Sequence, residues 1–225
     1  MNLIADKIQP LGETILAKLT SYTDVINVKS PKDYNNEWWT NKTFTSWNFR
    51  KASIQILNRG NIYVLHLSIF PHLDDSSPIF GFDIVSTPNK ITAAFCDFSV
   101  SSNSKHPMIG WFKDQVKNLN WKKQRELPDW GKQIFSENMI AATAVNTEEE
   151  INQVIDIGIK SLNYYLGNVG LNADDFYIEH TKEAQNKYCF NQKQNTFPVK
   201  MLVSYGIKEM DAKKYFDEYL YPEWK

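Results

Sequence analysis

Cysteine is scarce in this sequence, and the common motifs of cofactor-binding proteins do not occur. The 225 residues include two cysteines, Cys96 and Cys189, which stand far apart in the chain. Such a pair forms neither a disulfide framework nor the clustered spacing of a zinc or iron–sulfur site. No GxGxxG or CxxC motif is present. The chain therefore lacks a phosphate-binding glycine loop and a redox dithiol, so any redox chemistry needs an external electron donor.

Net charge and long apolar runs are also lacking. The formal net charge is −1, from 25 basic and 26 acidic side chains. This balance gives no global field that would draw the protein to nucleic acid or to an anionic membrane. The apolar N-terminal stretch is interrupted by Asp6, Lys7 and Glu13, which argues against a signal peptide or a transmembrane span. We therefore expect a soluble, unprocessed protein of the cytoplasm.

Aromatic residues, by contrast, are abundant. Phe, Trp and Tyr make up 14% of the chain, and hydrophobic residues make up 42%. A chain of this length buries a sizeable core without a metal or a disulfide, so residues 1–225 are predicted to form one domain. We expect a monomer, and the aromatic fraction predicts a flat, apolar bound molecule.

Hydrophobic patterns predict strands in the middle of the chain and helices at both ends. The spacing of apolar residues predicts a helix over 3–21, interrupted near Pro10. A polar loop at 35–47 follows, and then two β-hairpins, because strand patterns flank turn residues at 58–61 and 87–90. The predicted strands are 53–57, 62–70, 80–86 and 91–97.

Helical patterns return after the strands. Thr147 and Glu150 form a capping box at the start of a helix over 147–166. Helices on both sides of an antiparallel sheet imply an α/β fold of three layers, an α/β/α sandwich with the sheet in the centre. The other predicted helical segments are 107–119, 184–194, 198–205 and 211–220.

A histidine and an aspartate stand within two neighbouring predicted strands. Alternation places His66 on one face of its strand and Asp83 on one face of the next, so the two side chains could meet. An arbitrary His and Asp are more often a core histidine and a strand-end acid. Asp83, however, stands mid-strand between Phe82 and Ile84, where a carboxylate is disfavoured unless it is paired or protonated. Two titrating groups held in an apolar site are typical of proton transfer near neutral pH.

Five short motifs, taken in order, resemble those of the ferredoxin-dependent bilin reductases. Each motif alone is a weak signal, whereas the ordered set is specific. The motifs are FRK at 49–51, LHLSIFP at 65–71, PIFGFDIV at 78–85, QRELPDWG at 124–131 and IFSE at 134–137. Tyr188-Cys189 and the closing EYLYP at 218–222 extend the resemblance over nearly the whole chain.

The resemblance implies an enzyme that binds biliverdin IXα between the sheet and the C-terminal helices. It implies no bound cofactor, with single electrons arriving from reduced ferredoxin, so that the tetrapyrrole carries the radical while the protein supplies protons and shape. His66 and Asp83 match the catalytic pair of the family. Asp83 is expected to contact the pyrrole nitrogens or the D-ring carbonyl and to deliver protons, while His66 shares a proton with it. The family is found in cyanobacteria and in phage-infected host cells.

Two further positions correspond to propionate contacts in the family. Arg125 matches the propionate-binding arginine, and arginine is well suited to pair with a carboxylate through two hydrogen bonds. Thr92 stands where the family offers a small hydroxyl residue. For Arg125 the alternative is an exposed arginine at a helix end, without a role.

Three substrate-side positions depart from the family pattern. Gln55 stands where phycocyanobilin-forming members carry a glutamate that assists reduction of the D-ring vinyl group, and an amide is not an acid at neutral pH. Thr196 replaces a second catalytic aspartate, beside Asn195, which can only hydrogen-bond. The combination resembles phage-encoded members, so we expect reduction of biliverdin IXα by four electrons to phycoerythrobilin, through 15,16-dihydrobiliverdin. Phycocyanobilin is the alternative product.

The densest basic stretch of the chain follows the predicted sheet. Because ferredoxins are acidic, this stretch is expected to dock the electron donor near the propionates, where complementary charge accelerates encounter. A solvated helix face is the alternative, which Asp114 favours. The residues are Lys113, Lys117, Lys122, Lys123 and Arg125.

Other functional classes remain open. A non-catalytic tetrapyrrole carrier on the same scaffold would keep Arg125 and the aromatic pocket but would tolerate loss of His66 or Asp83. The presence of both residues disfavours a carrier. A flavin or nicotinamide reductase is a third possibility, which the missing glycine loop disfavours.

Overall fold

An antiparallel sheet forms the centre of the protein in a computed structural model, which describes residues 3–22, 24–28, 34–171 and 174–224. In these residues the sheet has seven strands, and their spatial order is their order in the chain. Each strand is therefore hydrogen-bonded to the one that precedes it. The strands are β1 Ile26–Asn27, β2 Trp39–Thr45, β3 Phe49–Arg59, β4 Ile62–Pro71, β5 Ile79–Thr87, β6 Lys90–Ser99 and β7 Ile140–Ala142.

Helices flank the sheet in sequence and in space. The last α-helix continues directly into a π-helical turn, Tyr215–Leu220, which we call the C-terminal turn. No helix within the described ranges is long and apolar enough to cross a membrane. The α-helices are α1 Leu3–Thr20, α2 Pro107–Val116, α3 Asp129–Lys132, α4 Glu148–Leu166, α5 Ile178–Gln192, α6 Thr196–Ser204 and α7 Glu209–Lys214.

Two apolar clusters lie on opposite faces of the sheet and confirm the predicted three-layer α/β/α sandwich. The first layer, formed by α1, α2 and α4, packs on one face; its cluster includes Ile8, Phe112, Val154, Leu65 and Phe82. The second layer, formed by α5, α6 and the C-terminal turn, packs on the other face; its cluster includes Tyr188, Leu202, Phe216, Leu57 and Phe70. Because side chains alternate along a strand, the neighbours of Leu65 and Phe82 face the second layer.

The helix with the clearest sequence signal begins as predicted. The hydroxyl of Thr147 accepts a hydrogen bond from the backbone N–H of Glu150 at 3.3 Å and donates one to the Glu150 carboxylate at 3.1 Å. Further along this helix, Gly158 faces the ring of Phe82, and a Cβ added there would lie 2.2 Å from that ring. The absence of a side chain at Gly158 thus allows α4 to lie close against the sheet.

Pro10 does not interrupt the first helix, contrary to the prediction. α1 runs through Pro10 as one helix, and the proline is exposed. The apolar residues on either side of it, Ile8, Leu11 and Ile15, are buried in the first layer. Proline has no backbone N–H and so leaves one helical hydrogen bond unformed. The packing of this apolar face keeps the helix continuous in spite of that loss.

The stretch predicted as a polar loop, 35–47, contains strand β2, so that prediction was wrong. Its polar side chains are paired across the sheet and with the second layer. The hydroxyl of Thr43 lies 3.4 Å from that of Ser53, and Asn41 Oδ1 accepts a hydrogen bond from the hydroxyl of Tyr215. These partners satisfy polar groups that would otherwise be costly to bury.

A buried lysine, Lys51, ties the C-terminal turn to the sheet. Its ammonium donates to the backbone carbonyls of Tyr219 and Leu220, to the latter at 2.8 Å, and the residue is 8% exposed. Carbonyls at the end of a helix lack backbone partners, so a cation there satisfies them. Burial lowers the pKa of Lys51 to about 7, with an opposing contribution from Cys189 and a smaller lowering one from Arg50.

We expect Lys51→Met to change the pH dependence of stability. The pKa of Lys51 lies near 7 in the folded chain and near 10.5 in the unfolded chain, so between these values the unfolded chain binds more protons. The stability contributed by this site is thus fully present above pH 10.5 and is lost as the pH falls to about 7. Within this window the free energy of unfolding changes by at most about 1.4 kcal/mol per pH unit. Lys51→Met removes that slope.

Urea denaturation at a series of pH values measures this effect. The free energy of unfolding of the unaltered protein, minus that of Lys51→Met, should grow with pH across the window. Lys200→Met, at an exposed position on α6, is the control and should show no such growth. A difference that stays constant with pH for Lys51→Met would contradict the lowered pKa of Lys51 in the folded chain.

Candidate active site

His66 and Asp83 lie directly opposite each other in the register of β4 and β5. Directly paired residues of an antiparallel sheet point to the same face, here the face that the second layer covers. His66 Nδ1 is hydrogen-bonded to Asp83 Oδ1. The side chain of His66 is 15% exposed and that of Asp83 is 33% exposed. The pair predicted from strand alternation is therefore formed, and Asp83 is its more accessible member.

Two further side chains extend this row across the sheet. The register pairs Gln55 of β3 with His66, and Phe95 of β6 with Asp83, and both are half-buried. An amide, an imidazole, a carboxylate and an aromatic ring thus stand side by side on four neighbouring strands. We call these four residues the polar row. Of its members, His66 and Asp83 are the two with ionisable side chains.

Two tyrosines of the second layer cover the polar row. The hydroxyl of Tyr221 lies 3.4 Å from His66 Nε2, and the hydroxyl of Tyr188 accepts a hydrogen bond from Gln192 at 2.9 Å. The two tyrosine rings are 6.3 Å apart between centroids. Burial raises the pKa of both hydroxyls well above its usual range, and the charge of Asp83 acts in the same direction. Both hydroxyls therefore remain protonated.

Arg125 stands at one end of the polar row. It is exposed and lies in an extended segment whose backbone N–H donates to Ala141 of β7 at 2.7 Å. Its guanidinium lies 5.9 Å from the ring centroid of Phe95. Arg125 is exposed, as the alternative interpretation expected, but it precedes α3 beside the sheet edge and does not stand at a helix end.

Thr92 is engaged by the backbone of the sheet. Its hydroxyl donates to the carbonyl of Val85 at 2.9 Å, next to an irregularity in the pairing of β5 and β6. A carboxylate accepts hydrogen bonds and needs a donor, but the hydroxyl hydrogen of Thr92 is already donated to the Val85 carbonyl. Thr92 would have to exchange this bond in order to contact a propionate.

Asn195 and Thr196 lie at the start of α6. Asn195 is its N-cap, with the side-chain oxygen accepting from the backbone N–H of Phe197 at 3.2 Å. Such capping is the ordinary use of asparagine at this position. Thr196 is exposed, and none of the hydrogen bonds described for these two residues reaches His66 or Asp83.

The predicted docking lysines run from the first layer to the sheet edge. Lys113 lies on α2 and Lys117 directly follows its end, with the ammonium of Lys117 3.1 Å from Asp114. Because α2 packs in the first layer, these two lysines are on the other side of the sheet from the polar row. Lys122 and Lys123 are exposed in the segment that leads to Arg125.

Comparison with known proteins identifies the family. A family model described as ferredoxin-dependent bilin reductase matches residues 7–222. The chain belongs to this family. The phycocyanobilin:ferredoxin oxidoreductase of Prochlorococcus marinus (strain SARG) is 31% identical over 199 residues, which cover 85% of this chain and 80% of that protein. That of Synechococcus sp. (strain CC9902) is 28% identical over 184 residues, which cover 80% and 74%. The bilin reductase is therefore an oxidoreductase enzyme.

Solved structures share the fold of the bilin reductase. A structure of PcyX aligns with a TM-score of 0.67 at 23% identity, covering 96% of this chain and 97% of that one. Phytochromobilin synthase from tomato, in complex with biliverdin, aligns with a TM-score of 0.77 at 16% identity, covering 95% and 82%. Both comparisons confirm an α/β fold around an antiparallel sheet.

Two residues without a role in the sequence analysis fasten the segment that follows Arg125. Asp97 of β6 is 2% exposed and accepts hydrogen bonds from the hydroxyls of Ser99 and Ser136, and from the backbone N–H of Ser136 at 3.0 Å. Burial raises the pKa of Asp97, while these hydrogen bonds oppose the shift. The IFSE motif of the reductase thus attaches this segment to the sheet. In the sequence, the motif was the one signal that pointed to these residues.

Arg50 has a comparable structural role beside Lys51. Its Nε donates to Gln185 of α5, and its guanidinium lies 4.7 Å from the ring centroid of Phe70 and 5.1 Å from that of Trp224. The FRK motif therefore joins β3 to the second layer. Neither of its basic residues contacts His66 or Asp83 in the hydrogen bonds described.

A cleft of about 440 Å³ opens away from the polar row. Its lining does not include His66 or Asp83, and two of its carboxylates are already bound by backbone N–H groups. Asp24 accepts from Trp47, and Asp75 accepts from Gly170. Within the described ranges no three His, Cys, Asp or Glu side chains form a group that could hold a metal ion. The cleft is lined by Asp24, Ile26, Thr45, Ser46, Trp47, His72, Asp74, Asp75 and Gly170.

Proposed function

We propose that the bilin reductase reduces biliverdin IXα with electrons from reduced ferredoxin, and that His66 and Asp83 supply the protons. The hydrogen-bonded pair on the sheet face that the second layer covers is the observation that carries this proposal. The tomato relative was solved in complex with biliverdin, and curated relatives are named phycocyanobilin:ferredoxin oxidoreductases. These names support the same substrate and the same electron donor here.

The reaction alternates single electrons with protons through bilin radicals. Reduction by four electrons also consumes four protons, so each electron that the bilin gains is balanced by a proton from the site. Asp83 is more exposed than His66 and is therefore the member that contacts the bilin. His66 holds Asp83 through the hydrogen bond at Nδ1, and Asp83 takes up a proton from solvent before each transfer. The protein holds the substrate, excludes water and moves protons, while the tetrapyrrole itself carries the unpaired electron.

Arg125 binds a propionate of the bilin in this proposal. Its exposed guanidinium beside Phe95 lies at the end of the polar row, where it can form two hydrogen bonds with a carboxylate. Thr92 assists once its hydroxyl exchanges the carbonyl of Val85 for the propionate. Asn195 and Thr196 offer hydrogen bonds to the substrate but no acid.

The product is phycoerythrobilin, formed through 15,16-dihydrobiliverdin. Gln55 lies next to His66 in the polar row, so the site has an amide at this point. Without a second acid beside His66, protonation toward the vinyl group is disfavoured. Phycocyanobilin, after which the curated relatives are named, is the alternative product.

Asp83→Asn should separate binding of the substrate from its reduction. The amide keeps the shape of the side chain but cannot act as an acid, so we expect biliverdin to bind while reduction falls by about 100-fold or more. Anaerobic assays with ferredoxin and biliverdin, followed by chromatography of the bilins, measure this. Asp156→Asn, at an exposed position on α4, is the control and should react normally. Normal reduction by Asp83→Asn would overturn its role, and binding without turnover by the unaltered protein would indicate a carrier.

Gln55→Glu tests the product assignment. It places an acid beside His66, and we expect part of the product to change from phycoerythrobilin to phycocyanobilin. Gln55→Met, of similar size but without an acid, should not form phycocyanobilin. The same chromatographic assay distinguishes the two bilins. Phycocyanobilin as the sole product of the unaltered protein would contradict the assignment.

Neutralising the four docking lysines tests the ferredoxin surface. We expect Lys113→Gln, Lys117→Gln, Lys122→Gln and Lys123→Gln together to lower kcat/KM for ferredoxin by about 10-fold at low ionic strength, and by less at high salt, because charge complementarity mainly accelerates encounter. Biliverdin affinity should not change. The control carries Lys200→Gln and Lys208→Gln, two exposed positions of the second layer. A larger loss in that control would show that ferredoxin docks elsewhere.

A further inference from the structure

Tyr221 lies where the chain, after the C-terminal turn, meets the polar row. It is 3% exposed, and its hydroxyl lies 3.4 Å from His66 Nε2. Its ring packs edge-on to the imidazole at 6.1 Å between centroids, with the ring of Phe216 at 6.0 Å. His66 thus has a polar neighbour at each ring nitrogen, Asp83 at Nδ1 and Tyr221 at Nε2.

The direction of the hydrogen bond from Tyr221 follows from what surrounds its hydroxyl. Burial keeps this phenol protonated, so its hydrogen needs an acceptor. Among the residues that the structure describes, His66 Nε2 is the one polar atom recorded within hydrogen-bond distance of it. Tyr221 therefore donates to Nε2, and the ring proton of neutral His66 resides on Nδ1, toward Asp83. Such contacts are often long in a site without substrate and shorten when it binds.

The segment that carries Tyr221 is fastened on both sides. Before it, the Tyr221 N–H donates to the Phe216 carbonyl at 2.9 Å, and Lys51 holds the carbonyl of Leu220. After it, the N–H and carbonyl of Trp224 both bond to Asn186 of α5, at 2.7 and 3.0 Å. π-Helical turns occur often at functional sites. Tyr221, which contacts His66, is the residue that directly follows this turn.

We propose that Tyr221 is a positioning residue, whose hydroxyl fixes the ring orientation and tautomer of His66 so that Nδ1 stays on Asp83. The contribution to catalysis rests on the proposed function, whereas the hydrogen bond does not. An imidazole held at one nitrogen can turn away, and a partner on the second nitrogen prevents this. The titratable groups that act on the Tyr221 hydroxyl come from β5, α5 and the C-terminal turn; they are Asp83, Tyr188, Cys189 and Tyr215.

Nitrogen NMR of the full chain without bilin tests the hydrogen bond itself. The protein is labelled with ¹⁵N-histidine and studied at mildly alkaline pH. The His66 signals are identified as those that are absent from the spectrum of His66→Gln. We expect a protonated Nδ1 and an unprotonated Nε2, whose resonance in Tyr221→Phe moves toward that of a free imidazole nitrogen. An unmoved Nε2 resonance in Tyr221→Phe, or a proton on Nε2 in the unaltered protein, would overturn the proposal.

Tyr165→Phe is the matched control. Tyr165 is also a buried tyrosine, and its hydroxyl donates to the carbonyl of Pro78 at 2.9 Å, but it lies in the first layer. Both substitutions keep an aromatic ring and remove one buried hydroxyl donor, so thermal unfolding should show comparable losses of stability. The His66 signals should move in Tyr221→Phe alone.

Kinetics test the consequence for catalysis. We expect Tyr221→Phe to lower kcat for bilin reduction by about five- to tenfold, the effect of one hydrogen bond, with unchanged biliverdin affinity and with Tyr165→Phe unaffected. An unchanged kcat in Tyr221→Phe, with the NMR shift present, would contradict a positioning role. If the unaltered protein shows the NMR signature but no turnover, the proposed function fails while the hydrogen bond stands.

Discussion

The register of β4 against β5 is the constraint on which the site depends. His66 meets Asp83 because the two are paired directly, and a slip of one residue would turn one of them to the opposite face. The alternation that prevents this slip comes from apolar residues between the polar ones, such as Leu65 and Phe82, which are buried under α1 and α4. Packing on the first face of the sheet therefore sets the geometry of the chemistry on the second.

The second layer is attached through charged side chains as well as apolar contacts. Lys51 and Asp97 are buried, and each is compensated by hydrogen bonds that only the folded chain provides. Buried charges contribute little net stability, but they require one geometry, because an uncompensated charge is costly. The same two anchors flank the polar row, one on β3 and one on β6. Lys51 fixes where the C-terminal turn lies, and so which of its side chains reach His66, whereas Asp97 attaches the segment around Ser136 to the sheet.

The parts of this structure that the sequence predicted are those governed by local pattern. Both hairpins, the capped helix at Thr147 and the pairing of His66 with Asp83 follow from alternation and spacing within short stretches. Strand β2 was missed because Asn41 finds its partner in Tyr215, far along the chain. The contact of Tyr221 with His66 has the same character, since it depends on how the C-terminal turn docks. The engagement of Thr92 by the strand backbone likewise required the three-dimensional pairing.

The composition of the polar row limits how a reductase of this kind can choose its product. Reduction by four electrons needs four protons, yet Gln55 and Phe95 supply none, so under the proposed reaction the pair must be reprotonated between steps. Tyr221 cannot serve as the source, because burial raises the pKa of its hydroxyl well above its usual range. A third of the Asp83 side chain is exposed to solvent, so Asp83 can be reprotonated from water. Under the proposed reaction, protons reach the bilin by this one route, so the product depends on which bilin carbon lies near Asp83 at each step. How the propionates and the second layer would hold the substrate then decides the product.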